Sequence, residues 1–268
     1  MSMNDRIKIS IDGGIATVSL NRPEKHNGVD LAMLDAMLAT QRQLRGLRDL
    51  RAVILRGEGP SFCSGLDFKS VLGDPFKVAA SYLQLWWPFR NRFQAWSVGW
   101  RRLPVPVIAL IHGNCFGAGL QLGLGADIRI SRPDARLSLM EAAWGLVPDM
   151  GGALLLRELL PLDLAKELAM TGRIVSGAEA LELGLVSHLG EDLEAAGRAL
   201  AAEISTRSPD SVAAAKRLMQ DAWRVADAEA LGAERRWQRR IIGRKNQRIS
   251  MERNRTKADL PFARRSLR

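Results

Sequence analysis

Cysteine is nearly absent from this chain: Cys63 and Cys115 are its only two, and they do not form a C-x-x-C pair. That argues against a disulfide scaffold and against a cysteine-ligated zinc site. No apolar run is long enough to span a bilayer, so membrane insertion is not expected. Met1 to Arg6 are polar and lack the apolar core of a signal peptide, which makes a cytoplasmic protein the expectation. Tyrosine occurs once, at Tyr82, and Trp86 rather than lysine stands four residues on, which argues against a short-chain dehydrogenase. There is no close internal repeat and no low-complexity linker.

The 268 residues suit one large domain, or one domain with an appendage. The net charge of +10 is unevenly placed: Arg235 to Arg268 hold 13 Arg or Lys against two acids, Glu252 and Asp259. Such a basic segment invites a nucleic-acid reading. No zinc finger, helix-turn-helix or aromatic-rich strand supports it, so the expectation is a solvated helix and tail facing an anionic small ligand or a neighbouring subunit.

Ile7, Ile9 and Ile11 alternate with polar residues, Asp12-Gly13-Gly14 follows, and Ala16, Val18 and Leu20 alternate in turn, predicting a β-hairpin. Asp30 is placed to cap a helix carrying Leu31, Leu34, Met37 and Leu38. Ala52–Leu55 and Val107–Ile111 read as short buried strands. Between them, Pro75 to Arg102 reads as a long aromatic-rich helical region interrupted at Pro88. Its Tyr82, Trp86, Trp87, Phe89, Phe93, Trp96 and Trp100 would line a hydrophobic pocket or pack on the core. Helices are expected from Gly117, from Gly151 to before Pro161, and from Ser176 to near Gly184. Strands are expected at Asp127 to Ile130, Arg136 to Leu139 and Leu185 to Ser187. Only helices follow: Leu193 to Ser205, Pro209 to Trp223, and a basic one from about Ala228. The pattern is an α/β core over residues 1–192 and a helical, basic region over 193–268.

Two glycine turns carry chemistry. Ser61-Phe62-Cys63-Ser64-Gly65-Leu66-Asp67 follows one buried strand, and Phe116-Gly117-Ala118-Gly119 follows another. Each leaves a backbone N–H, of Leu66 and of Ala118, at a helix start where negative charge is favoured. If the two converged they would form an oxyanion hole. Spacing alone does not distinguish that from two plain turns. Downstream lie two carboxylates eight residues apart, Glu141 and Asp149, which could move a proton. Gly117-Ala118-Gly119 after a strand is also compatible with a nucleotide-binding turn, though a lone G-x-G is a weak signal.

Leu20-Asn21-Arg22-Pro23-Glu24-Lys25, the Phe62-to-Asp67 turn, His112-Gly113 through Gly119, Ala126-Asp127-Ile128-Arg129 and Gly145-Leu146-Val147-Pro148-Asp149 occur in that order. Thr171-Gly172-Arg173 and Ala178 through Val186 follow. In these residues the chain resembles the crotonase family, the enoyl-CoA hydratases and isomerases. The resemblance implies an α/β spiral of β-β-α turns with a helical trimerisation region, assembled as a homotrimer or a dimer of trimers. It implies a coenzyme A thioester as substrate, with no separate cofactor, no metal and no nucleic-acid partner. The thioester carbonyl would sit between the N–H groups of Leu66 and Ala118. Family members often carry glycine where Ala118 stands, and its methyl group would narrow the site.

By the same resemblance Glu141 and Asp149 are the acid-base pair. Family hydratases carry two glutamates, one at the position of Gln121 and one at that of Glu141. An amide does not exchange a proton as a carboxylate does, so simple two-glutamate hydration is not expected. Dienoyl-CoA isomerases of the family are similar in holding acids at the positions of Glu141 and Asp149. Isomerisation is therefore the leading expectation, ahead of hydration and of a non-catalytic binding protein. Lys25, His26, Ser64, Asp67, Phe68, Phe116, Gly117, Gln121 and Pro148 are the expected substrate contacts. Gln121 is expected either to bond a water or the acyl chain or to be a satisfied polar residue at a helix start, and His112 to pack or bond at a strand end.

Overall fold

The computed structural model describes residues 5–72, 83–86 and 88–267. Strands β1 (Ile7–Asp12) and β2 (Ile15–Leu20) form the expected antiparallel hairpin, with Asp12 opposite Ile15. Helix α1 (Leu31–Gly46) is capped by Asp30, whose carboxylate accepts from Met33 N at 2.7 Å. β3 (Ala52–Gly57) adds parallel to β2. A short helix, α2 (Phe68–Leu72), follows.

Of the expected helical region, residues 75–82 and 87 lie outside the described residues, and the described part is interrupted around Pro88 as expected. Gln84–Trp86 is a single 3-10 turn, and α3 begins only at Arg92 and runs to Arg101. Its start is fixed by a capping box, Asn91 accepting from Gln94 N while Gln94 accepts from Asn91 N. Trp96 and Trp100 are wholly buried in the core, and Phe93 packs against it. Trp86 and Phe89 are exposed, while Tyr82 and Trp87 lie outside the described residues.

β4 (Val107–Ile111) and β5 (Asn114–Phe116) lead into α4 (Ala118–Leu124), and β6 (Ile128–Ser131) and β7 (Arg136–Ser138) repeat the step. α5 (Gly152–Leu156), α6 (Leu162–Thr171), β8 (Val175–Ser176) and α7 (Gly177–Glu182) follow. α6 is a helix the sequence reading did not separate from its surroundings. The strand expected at Leu185 to Ser187 lies slightly later, as β9 (His188–Leu189), because Leu185 and Val186 close the end of α7 by bonding back to Ala180 O. The larger sheet has the order β1-β2-β3-β4-β6-β9, and the smaller the order β5-β7-β8. The chain therefore alternates between two sheets: β4 passes to β5, and β6 passes to β7. Each step ends in a helix or 3-10 turn, which is the expected spiral of β-β-α turns.

Helices α8 (Leu193–Ser205), α9 (Pro209–Ala222), α10 (Asp227–Arg239) and α11 (Lys245–Thr256) complete the chain, so the single basic helix expected from about Ala228 is two. Gly243, at φ +72, lies between them. Lys216 pins α9 to the core, its buried ammonium donating to Trp100 O, Val105 O and Asp127 at 3.2, 2.9 and 2.6 Å. Among the described residues no helix is long and apolar enough to cross a membrane.

Asp210 ties the final residues to α9. It accepts from Ser266 N, Leu267 N, Ser266 Oγ and Asn246 Nδ2 at 2.6 to 2.9 Å. Burial opposes its ionisation, but these bonds outweigh burial and hold its pKa below the ordinary value. A depressed folded pKa means the stabilisation is present at neutral pH and is lost as pH falls through that pKa. Asp210→Ala should cost roughly 3 kcal/mol at pH 7, since it strands several buried donors. Amide hydrogen exchange at Ser266 and Leu267 should accelerate in that variant at pH 7. Unchanged protection would show that the tail is held by other contacts.

Candidate active site

The two glycine turns run side by side. Cys63 N donates to Asn114 O at 3.0 Å and Phe116 N donates back to Cys63 O at 2.9 Å, a parallel bridge between Cys63 and Cys115. The contact depends on glycine. Gly65 has φ +95, and a β-carbon there would lie 2.9 Å from Phe116 O and 3.8 Å from Ala118 N. A β-carbon at Gly119 would lie 2.3 Å from Cys63 O. The second turn is also anchored from outside: Gly117 N donates to Ser138 O and Trp96 Nε1 donates to Ala118 O, each at 2.9 Å. Leu66 and Ala118 thus line one cavity of about 120 Å³. Among the described residues neither the Leu66 nor the Ala118 N–H donates a hydrogen bond. Two unused donors facing one small cavity can stabilise an oxyanion.

Both carboxylates line that same cavity. Glu141 sits on the 3-10 turn Met140–Trp144, and Asp149 on the loop before α5. The Glu141 carboxyl lies against the second turn, since a β-carbon on Gly117 would be 3.1 Å from Oε1. Burial raises the Glu141 pKa, its own backbone N–H and then the Gln121 amide oppose the rise, and the charge of Asp149 adds to it. Burial also raises the Asp149 pKa, although this residue stays open to solvent on one side. Apolar surroundings penalise the charged form of each group and strengthen it as a base. The pair can accept a proton at one point of a bound molecule and release one at another.

Gln121 faces neither the cavity nor solvent. It is wholly buried on α4, donating from Nε2 to Glu141 Oε1 at 2.6 Å and accepting from Gly152 N at 2.9 Å. Phe68, Phe116, Gly117 and Ser64 line the cavity with the turns, and Pro148 stands behind it, against Gly152. Phe68 stacks on Trp144 with ring centroids 4.8 Å apart, so the two rings form one wall.

Asp67 is used structurally. It accepts from Arg22 Nη1 at 2.8 Å and caps the following turn through Ser70. Lys25 and His26 are exposed on the adjoining loop, which Ser64 N joins to the first turn through His26 O at 2.9 Å. His26 Nδ1 pairs with Ser61 Oγ, and His112 Nε2 bonds Gly59 O, both at 2.9 Å.

Sequence reading missed Leu146, Val147 and Met150 as cavity residues. It also missed Asn27. That side chain is fully buried and bonds Arg22 N, Glu58 O, Ser61 O and Phe62 O, holding the loop before the first turn. An Asn-Gly pair directly after His26 was the available signal, because Asn accepts the positive φ, here +56, that the turn needs.

A family model described as enoyl-CoA hydratase/isomerase matches residues 10–265. Enoyl-CoA hydratase EchA19 of Mycobacterium tuberculosis is 34% identical over 224 residues, covering 81% of each chain. The mitochondrial Delta(3,5)-Delta(2,4)-dienoyl-CoA isomerase of Homo sapiens is 35% identical over 207 residues, covering 74% of this chain and 63% of that one. Among solved structures, an enoyl-CoA hydratase from Bacillus anthracis superposes with a TM-score of 0.88 at 29% identity, over 96% of this chain and 98% of the other. The spiral is therefore the crotonase fold. The chain belongs to the enoyl-CoA hydratase/isomerase family of enzymes.

Proposed function

We propose that this chain moves a double bond along an unsaturated acyl-CoA, as an enoyl- or dienoyl-CoA isomerase. The observation that carries the reading is the composition of the cavity: two carboxylates, Glu141 and Asp149, line it, while Gln121, behind Glu141 and outside the cavity, is an amide already bonded at both ends. Family hydratases pair the acid at the position of Glu141 with a glutamate where Gln121 stands, and an amide there exchanges no proton.

In this reading the thioester oxygen accepts from Leu66 N–H and Ala118 N–H. That polarisation acidifies C2 of a 3,5-dienoyl chain. One carboxylate takes the C2 proton, and the C–H electron pair delocalises through the diene onto the thioester oxygen. The two N–H groups hold the resulting dienolate. The other carboxyl group gives a proton to C6, leaving a 2,4-dienoyl product with no net change of protons. The raised basicity of both groups suits this exchange, because proton transfer is efficient when donor and acceptor pKa values approach each other.

A hydratase is the second reading, and the names of several relatives favour it, including (E)-benzylidenesuccinyl-CoA hydratase of Thauera aromatica at 31% identity over 213 residues. An ultraviolet assay separates the two. The expected result with a 3,5-dienoyl-CoA is growth of the conjugated 2,4-dienoyl absorbance. Loss of 2-enoyl-CoA absorbance in a parallel reaction, with no change in the dienoyl one, would replace isomerase by hydratase.

A further inference from the structure

We propose that Gln121 is a positioning residue that commits Glu141 to one working oxygen, Oε2, and so keeps the site on proton transfer to carbon rather than on activation of water. The inference rests on the acyl-CoA isomerase reading and deepens it. The Gln121 amide has one usable orientation. Its Oε1 accepts the Gly152 N–H, and its Nε2 donates to Glu141 Oε1. A flipped amide would set N–H against N–H at Gly152 and oxygen against oxygen at Glu141. Because Gln121 is wholly buried, no water compensates either contact.

The carboxylate of Glu141 is thereby divided. Oε1 is held by a short charge-assisted bond at 2.6 Å. Oε2 is buried and has no hydrogen-bond partner among the described residues. Leaving such an oxygen unpaired is costly. The cost makes sense at the one atom whose partner is the reacting proton. Glutamate at position 121 would offer a second exchangeable proton beside Oε1 and a rival partner for it. The amide offers neither.

Gln121→Met and Gln121→Glu in the full chain test this. The readouts are exchange of solvent deuterium at the carbon that Glu141 serves, C2 or C6 of an acyl-CoA, its pH profile, and the substrate KM. Gln121→Met removes both bonds. Exchange should fall about 10²-fold with KM unchanged, as expected when a base loses its aim. The limb of the profile governed by Glu141 should move to higher pH, because the lost donor favoured the ionised carboxylate. Gln121→Glu keeps an acceptor for Gly152 N–H and so preserves the loop if the methionine variant folds poorly. Its new carboxyl must share a proton with Glu141, so two linked titrations should replace one, and hydration of a 2-enoyl-CoA should rise.

Wild-type exchange with an unshifted profile in a folded variant would overturn the proposal, as would a loss confined to KM. If the native chain exchanges C2 deuterium but shifts no double bond, the isomerase reading fails while the oxygen assignment still stands or falls on the two variants. A native chain that exchanges nothing overturns both.

Discussion

Asp149→Asn is expected to lower turnover of a 3,5-dienoyl-CoA by about 10³-fold, within the range lost with an acid-base group, while acyl-CoA binding persists. Asparagine keeps the shape of the side chain but replaces one acceptor oxygen by an N–H donor and exchanges no proton. The two N–H groups of Leu66 and Ala118 are untouched, so the thioester still docks and polarises. Deuterium exchange at C2 then identifies the step Asp149 serves: exchange that survives assigns it proton return, and exchange that disappears assigns it abstraction. Turnover at the native rate would remove Asp149 from the mechanism.

The same substitution should raise the melting temperature at neutral pH only slightly, because Asp149 is exposed and solvent screens much of the burial effect. Burial raises the folded pKa of Asp149 above its unfolded value, so at pH 7 the ionised group disfavours folding. Below an ordinary Asp pKa of about 4 both states are protonated and the advantage of Asn should vanish. A gain that persists at acid pH would have to come from packing rather than from charge.

Gly65→Ala is the second large effect. At φ +95 a side chain is strained by about 1–3 kcal/mol. The added β-carbon also meets the Phe116 carbonyl at 2.9 Å, well inside ordinary contact. Relief requires the two turns to separate, and the separation falls on the pair of N–H donors. The expected loss in kcat/KM is about 10²-fold, comparable with removing one oxyanion donor. Melting should fall by roughly 5 °C, because the strain is local and the large sheet is unaffected. Native kcat/KM in a folded Gly65→Ala variant would show that the turns need not touch for catalysis.

How the sequence came to be legible is clear from particular residues. The hairpin is written in the alternation of Ile7, Ile9 and Ile11 and in Asp12-Gly13-Gly14, because register and turn are both local. The cap of α1 is local too, one carboxylate three residues from its donor. In the stretch before α3 the interruption at Pro88 was legible, but the place where α3 starts was not, because aromatic residues do not mark a helix end. There the deciding contact is between elements: Trp96 bonds Ala118 O across the core. Arg129 is a further case. It lies in a motif that suggested only a strand, yet its buried guanidinium donates to Leu185 O at 2.7 Å and Ala126 O at 2.8 Å, joining the segment after α7 to β6.

The sequence by itself determined the two glycine turns, the strand before each, and the presence of acids at Glu141 and Asp149, since each is set by residue type and short spacing. It also marked Gln121 as the departure that matters for the choice of reaction. Only the tertiary structure decided that the turns converge, that both carboxylates share their cavity, and that Asp67 serves Arg22. It alone placed the Gln121 amide between Glu141 and Gly152. The reason is distance along the chain. Leu66 and Ala118 are brought together by parallel pairing between separate turns of the spiral, and pairing of that range leaves no periodicity in the sequence around either residue.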